Sequence, residues 1–132
     1  MSRILIIDDD PAHLNAARGI LESEGYEVFT QSQPFGSTNT VTHLQPYLVL
    51  LDVNMPGLSG DRLAEVLRAN ARTRNVMVVL HSSNDEDHLR TTARRLGLDG
   101  YICKGSPSTL RAKVAALLPK AVEEGASTEA RY

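Results

Sequence analysis

Residues 3–12 read RILIIDDDPA, in which an apolar run at positions 4–7 meets the three carboxylates Asp8, Asp9 and Asp10. A continuous apolar run of this length is typical of a strand that is buried on both faces, as in a parallel sheet covered by helices. Three neighbouring carboxylates repel one another, so something must compensate them where the strand ends. The stretch therefore predicts a buried parallel strand that leads directly into a charged site.

The rest of the chain alternates short apolar runs with longer segments of helical periodicity. Further strands are predicted at residues 28–29, 48–51, 76–80 and 101–103, and helices at residues 12–24, 61–70, 86–96 and 108–118. Between the second and third strands, PFGSTNTVTHLQP at residues 34–46 contains many poor helix formers, so a short or irregular second helix is expected there. Five strands, each followed by a helical segment, predict an α/β fold with a doubly wound parallel sheet and helices on both faces.

The length and composition are those of one ordinary globular domain, with 132 residues of which 42% are hydrophobic. We expect the domain at residues 1–120, and a polar tail or the start of a linker at residues 121–132. A net charge of −2 argues against direct binding to nucleic acid or to anionic membrane. No apolar run approaches the ~20 residues of a membrane span. The single cysteine, Cys103, cannot form an internal disulfide, so a cytoplasmic location is expected.

Polar side chains gather where the predicted strands end. The first strand is followed by the acids Asp8 and Asp9, the third by Asp52, the fourth by Ser82 and the fifth by Lys104. Because ligands of doubly wound sheets bind at the carboxyl ends of the strands, we expect these side chains to form one site. Clustered carboxylates without histidine or cysteine favour Mg²⁺, and a lysine with a hydroxyl can hold an anion beside it. The set indicates phosphoryl transfer, with a carboxylate as the covalent acceptor.

Asp10 has a different predicted role from the two acids that precede it. It is followed by Pro11, and an aspartate before a proline is typical of an N-cap with proline at the first helical position. The four histidines share no spacing typical of a metal site, so we interpret them as surface or packing residues. His13 lies nearest the acids and is the one expected to contact the site.

Four motifs resemble the signature set of the receiver domain of two-component response regulators. They are IIDDDP, LVLLDVNMPGLSG, VVLHSS and DGYICKG, and they stand in the order of the family. Their spacing also matches, with 43 positions from Asp9 to Asp52, 30 from Asp52 to Ser82 and 22 from Ser82 to Lys104. The resemblance spans residues 2–118. It implies a flavodoxin-like sheet with strand order 2-1-3-4-5, which is the order known for receiver domains.

The resemblance implies a role for each residue of the site. Asp52 would accept a phosphoryl group from a phosphohistidine of a sensor histidine kinase or a phosphotransfer protein. Mg²⁺ would be bound by Asp9, Asp52 and the backbone carbonyl of Asn54, and by Asp8 through water. Ser82 and Lys104 would hold the phosphoryl oxygens. The protein would then be a signalling switch that catalyses only its own phosphorylation and dephosphorylation.

The resemblance also implies how phosphorylation at the site would change the surface of the domain. Ser82 would move toward the phosphoryl group and Tyr101 would rotate into the vacated space, while Asn54 and Asn84 would tune the lifetime of the phosphorylated state. The changed surface would be formed by the fourth helix, fifth strand and fifth helix, and would bind an output partner or a second copy of the chain. We expect this surface to include Arg90, Arg94, Tyr101, Leu110, Arg111 and Val114.

The chain departs from the family pattern at two positions. Gly105 follows Lys104 where the family usually has proline, often in a cis bond, so the family gives no expectation for the Lys104–Gly105 bond. Tyr47 stands before the third strand where an aspartate is usual, and we interpret it as a structural residue.

Two other functional classes were weighed against the switch. A phosphatase of the haloacid-dehalogenase type needs a second acid two positions after its nucleophile, where this chain has Asn54. A phosphorylation-independent interaction module would not need Asp8, Asp9, Asp52, Ser82 and Lys104 together. Two arrangements stay open, a stand-alone regulator and the receiver of a longer protein.

Overall fold

A computed structural model describes residues 2–118, which form a five-stranded parallel sheet with helices on both faces. The strands are β1 (Arg3–Ile7), β2 (Glu27–Gln31), β3 (Leu48–Leu51), β4 (Met77–Ser82) and β5 (Gly100–Cys103), in the order β2-β1-β3-β4-β5. The helices are α1 (Pro11–Ser23), α2 (Ser37–Leu44), α3 (Gly60–Ala69), α4 (Glu86–Arg95) and α5 (Pro107–Leu117). This confirms the predicted fold class and strand order, whereas the expected tail at residues 121–132 lies outside the described residues.

The central strands are buried on both faces, as the continuous apolar runs predicted. Successive strand residues point to opposite faces of a sheet. Ile4 and Ile6 pack with α1 and α5 on one face, whereas Leu5 and Ile7 pack with α3 on the other. These four side chains are at most 1% exposed. Burial on both faces therefore agrees with the position of β1 inside the sheet, between β2 and β3.

Local signals at the helix ends agree with the sequence. Asp10 is the N-cap of α1, since its Oδ1 accepts a hydrogen bond from the backbone N–H of Ala12 at 2.9 Å, and Pro11 follows it. The helix ends before Gly25, which has φ +93° and occupies the left-handed position that glycine tolerates. The role predicted for Asp10 is confirmed.

The second helix is short, which is one of the two outcomes expected for it, and it is also regular. α2 has eight α-helical residues, although its N-cap is Gly36 and no side chain caps it. The helix is attached to the edge strand by Gln31, whose Nε2 donates to Ser37 Oγ at 2.8 Å and whose Oε1 accepts from Thr40 Oγ1 at 2.7 Å. These contacts from β2 stabilise a segment whose own residues favour helix weakly.

The extent of β4 differs from the sequence-based expectation. β4 runs to Ser82, so this serine is the last residue of a strand and not part of a loop. Within residues 2–118, every helix is too short or too polar to span a bilayer.

Candidate functional site

Three carboxylates meet at the carboxyl edge of the sheet. Ile7 and Leu51 are paired in the β1–β3 register, and the residues that follow them are Asp8 and Asp52. One carboxylate oxygen from each of Asp8, Asp9 and Asp52 lies within 4.8 Å of the other two. Asp8 and Asp52 are buried, whereas Asp9 is exposed to solvent. Hard oxygen ligands with one side open to water fit the needs of Mg²⁺, which keeps several waters.

Lys104 supplies positive charge to this cluster. Its ammonium lies 2.6 Å from Asp8 Oδ2 and 3.4 Å from Asp52 Oδ2, and the lysine side chain is only 9% exposed. The backbone is held as well, because the N–H of Lys104 donates to the carbonyl of Ser82 at 2.9 Å. The ammonium therefore compensates part of the charge that follows β1.

Gly105 allows the chain to turn directly after this lysine. Its φ is +115°, a conformation that L side chains rarely adopt, and residues 2–118 contain no cis peptide bond. The departure from the family pattern at this position therefore leaves the lysine directed into the acidic cluster.

The carboxyl group of Asp52 is held in an unfavourable environment for its charge. Burial raises its pKa above the ordinary value, and the negative charge of Asp8 raises it further, while Lys104 acts in the opposite direction. Asp8, Asp9 and Asp52 carry three formal negative charges against one from Lys104. A divalent cation would therefore be attracted to this cluster.

Side-chain hydrogen bonds join the loops that follow β3 and β4. Asn54 Nδ2 donates to Ser82 Oγ at 3.4 Å and to the side-chain oxygen of Asn84. Ser82 Oγ in turn donates to Asn84 Oδ1 at 3.2 Å, and the serine is fully buried. The predicted hydroxyl and the two predicted lifetime residues thus form one cluster beside Asp52, whose Oδ1 accepts from the N–H of Asn54 at 3.3 Å.

Two histidines lie at the site, and only His13 was expected there. His13 Nδ1 is 3.2 Å from Lys104 Nζ, which agrees with its nearness to the acids along the chain. His81 was interpreted as a surface or packing residue. It is 7% exposed, and burial, with the charge of Lys104 adding to it, lowers its pKa to about 4. Both line a cavity of about 350 Å³ between α1 and the start of α5.

Tyr101 lies on the surface formed by α4, β5 and α5. Its hydroxyl donates to Glu86 Oε1 at 3.0 Å. Its ring lies between two cations, with the Arg90 guanidinium carbon 5.7 Å and Lys113 Nζ 4.9 Å from the ring centroid. These contacts from both neighbouring helices stabilise the observed position of the aromatic ring.

Two residues that the sequence placed on this surface are wrongly assigned. Leu110 and Val114 are 3% and 0% exposed, and both belong to the core that α1 and α5 form against the sheet. Helical periodicity shows that these two side chains share one face of α5, but it does not show whether that face packs on the sheet or lies at the surface. Arg90, Tyr101 and Arg111 are at least partly accessible, and Arg94 is exposed.

A family model, that of the response regulator receiver domain, matches residues 4–115. PhoB, the phosphate regulon transcriptional regulatory protein of Klebsiella pneumoniae, is 32% identical over 127 residues, covering 92% of this chain and 56% of PhoB. The protein PilH of Pseudomonas aeruginosa is 29% identical over 104 residues, covering 79% of this chain and 86% of PilH. The chain thus spans about half the length of PhoB and most of PilH.

Solved structures show the same architecture. The CheY-like response regulator receiver domain protein of Methanospirillum hungatei superposes with a TM-score of 0.80 at 27% identity, covering 94% of this chain and 98% of that one. The chemotaxis response regulator CheY4 of Vibrio cholerae gives a TM-score of 0.81 at 20% identity, covering 89% of this chain and 99% of that one, which is a likeness of fold alone.

Proposed function

The chain belongs to the response regulator receiver domain family of two-component signal transduction, and from this we propose that Asp52 is its phosphoacceptor. The phosphoryl donor would be a phosphohistidine of a sensor histidine kinase or a phosphotransfer protein. The observation that carries the proposal is the ammonium of Lys104, which lies within 3.4 Å of both buried carboxylates, Asp8 and Asp52. A buried acceptor with a cation beside it can bind an incoming phosphoryl group and stabilise its negative charge.

The residues of the site account for each part of the transfer. A carboxylate oxygen of Asp52 attacks phosphorus, and the bond between phosphorus and the donor nitrogen breaks. Lys104 then exchanges its contact with Asp52 for a phosphoryl oxygen, while Ser82 donates its hydroxyl hydrogen to another. A bound Mg²⁺, held by Asp8, Asp9, Asp52 and the backbone carbonyl of Asn54, would neutralise charge on the transferred oxygens.

Asn54 and Asn84 would control how long the phosphoryl group survives. Their side chains are hydrogen-bonded to each other and to Ser82, so they would lie beside the phosphoryl group and affect the approach of water to it. The amide of Asn54 also explains why a phosphatase of the haloacid-dehalogenase type is disfavoured, since an amide cannot act as a general acid or base there. The receiver family is one of signalling switches, and we propose that this chain catalyses only its own phosphorylation and dephosphorylation.

Phosphorylation would change the α4–β5–α5 surface. Ser82 can reach a phosphoryl group only by leaving Asn84, and its movement opens space into which Tyr101 can rotate. That rotation breaks the hydrogen bond to Glu86 and removes the ring from between Arg90 and Lys113. We propose that a cytoplasmic output partner, or a second copy of the chain, binds the altered surface, without direct contact of this domain to nucleic acid or membrane.

Labelling with a small phosphodonor tests the assignment of Asp52. The wild-type protein, incubated with acetyl phosphate and Mg²⁺, should gain one phosphoryl group by intact-mass spectrometry, and Asp52→Asn should gain none. Asp10→Asn is the matched control, because asparagine is also a good N-cap and Asp10 lies outside the acidic cluster. Equal labelling of wild type and Asp52→Asn would contradict the proposal.

Amide exchange with and without beryllofluoride, a phosphoryl mimic, tests the switch. Protection should change at the acidic edge and also along residues 85–114, with Tyr101 among the changed positions. Changes confined to the acidic edge would contradict the proposed switch, but not the assignment of Asp52 as the phosphoacceptor.

A further inference from the structure

The ammonium of Lys104 has three close partners, one of which has no assigned role. They are Asp8 Oδ2 at 2.6 Å, Asp52 Oδ2 at 3.4 Å and His13 Nδ1 at 3.2 Å. An ammonium has three hydrogens and accepts no hydrogen bond, so a hydrogen bond between these two nitrogens requires His13 Nδ1 to be the acceptor. We propose that His13 is a positioning residue for Lys104, holding its ammonium at the acidic cluster in the unphosphorylated protein. The functional part of this inference rests on the proposed role of Lys104.

The contact with Lys104 requires one of the two neutral forms of the His13 ring. A bare Nδ1 in a neutral imidazole places the ring hydrogen on Nε2. Asp10 Oδ2 lies 3.2 Å from the same Nδ1 and would favour a hydrogen there, while Asp10 Oδ1 is engaged in capping α1. Lys104 therefore favours an Nδ1 without a hydrogen, whereas Asp10 favours an Nδ1 that carries one. The neutral form of the ring then depends on whether the ammonium is beside it.

This competition links the histidine to the state of the site. When Lys104 moves to a phosphoryl oxygen, His13 Nδ1 loses its donor and can instead donate to Asp10. The imidazole then releases a proton from Nε2 to water and takes one from water at Nδ1, so no net charge changes. Exchange with water is open because the His13 side chain is 50% exposed. His13 thus holds Lys104 in one state and strengthens the start of α1 in the other.

Of the two histidines near Lys104, His13 is the one that contacts its ammonium. His81 lines the same cavity, but its pKa of about 4 keeps it neutral near pH 7, and no hydrogen bond joins it to Lys104 in the described residues. The charged groups that face His13 are Asp10 from the β1–α1 turn and Lys104 from the end of β5. Because Asp10 and Pro11 fix the first turn of α1, the ring is carried by a rigid element.

The first test is spectroscopic and does not depend on phosphorylation. Imidazole ¹⁵N resonances distinguish the two neutral forms, and in the wild-type protein His13 should carry its hydrogen on Nε2. In Lys104→Met the hydrogen should shift to Nδ1, where Asp10 is the remaining partner. His43, exposed on α2, should show the same resonances in both proteins. An unchanged His13 ring in Lys104→Met would overturn the inference.

The second test measures phosphorylation of Asp52 by acetyl phosphate with saturating Mg²⁺. His13→Leu removes the acceptor that positions the ammonium before the transfer, and this loss of positioning should slow the reaction about tenfold. His13→Asn places an amide oxygen near the position of Nδ1 and should restore the rate to within about twofold of wild type by the same reasoning. His43→Leu is the matched control for the same change on a remote helix.

The outcomes separate this inference from the proposed function. If wild-type Asp52 is not phosphorylated, the proposed function is wrong. The ¹⁵N measurement of the His13 ring still tests its contact with Lys104 in that case. If Asp52 is phosphorylated but His13→Leu and His13→Asn react alike, positioning of Lys104 by His13 is wrong.

Discussion

Replacement of Gly60 by alanine should damage both the stability and the site of this receiver. Gly60 begins α3, and a Cβ built on it would lie 1.9 Å from the carbonyl oxygen of Asp52 and 2.9 Å from Val53 Cα. Ordinary contacts between carbon and oxygen are about 3.3 Å or longer, so roughly 1.4 Å of separation must be found. Both sides resist movement, since Asp52 N donates to Ile7 O at 3.0 Å and Gly60 N donates to Val53 O at 2.9 Å.

The expected cost follows from these contacts. Overpacking of this kind costs about 1–3 kcal/mol, and losing one hydrogen bond adds about 0.5–1.5 kcal/mol. We therefore expect Gly60→Ala to lower the free energy of unfolding by about 2–4 kcal/mol, with Tm lower by roughly 10 °C. Because the shift displaces Asp52, labelling by acetyl phosphate should also slow in the protein that remains folded.

Urea denaturation of the wild type and two glycine variants measures the effect. Gly19→Ala is the matched control, because Gly19 lies in the interior of α1 and its built Cβ meets nothing within 4 Å. There the same substitution should stabilise the protein by about 0.5–1 kcal/mol through helix propensity. Opposite signs are expected for the two variants with similar m-values. A Gly60→Ala protein as stable as wild type would refute the packing argument.

Further predictions concern one buried base and two acids. The pKa of His81 is lowered to about 4 from 6.5, so the unfolded chain binds a proton at His81 at a higher pH than the folded protein does. The free energy of unfolding should therefore decrease as the pH falls from 6.5 to about 4. The loss at His81 is at most about 3 kcal/mol, and urea denaturation at pH 7 and pH 4.5 should show it in wild type but not in His81→Leu. Asp10→Ala should cost about 0.5–2 kcal/mol of stability by loss of the N-cap, with little change in Mg²⁺ affinity. Asp9→Ala should do the reverse, and a Mg²⁺ titration in which Asp10 matters more would contradict the division of roles.

Much of the fold was readable because its signals are local. The runs at residues 4–7 and 48–51 are apolar throughout, and such runs are typical of strands that are buried on both faces of a sheet. Asp10 with Pro11 marks the start of α1, since an N-cap acts on backbone groups within two residues of itself. The order of the acids, serine and lysine along the chain likewise placed them at strand ends, where the parallel sheet brings them to one edge.

Other features depend on residues distant along the chain, and sequence reasoning left them open or assigned them wrongly. α2 is regular because Gln31 of the edge strand binds Ser37 and Thr40, not because its own residues favour helix. Leu110 and Val114 were placed on the surface because helical periodicity defines a face of α5 without saying which partner that face meets.

The sequence by itself determined the alternation of strands and helices, the capping of α1 and the set of chemical groups at the carboxyl edge. Only the tertiary structure decided the contact between His13 and Lys104, the enclosure of His81 and the position of Tyr101 between Arg90 and Lys113. The physical reason is range. Periodicity and capping act over a few residues, whereas contacts such as the one between positions 13 and 104 exist only after the sheet has brought its strand ends together.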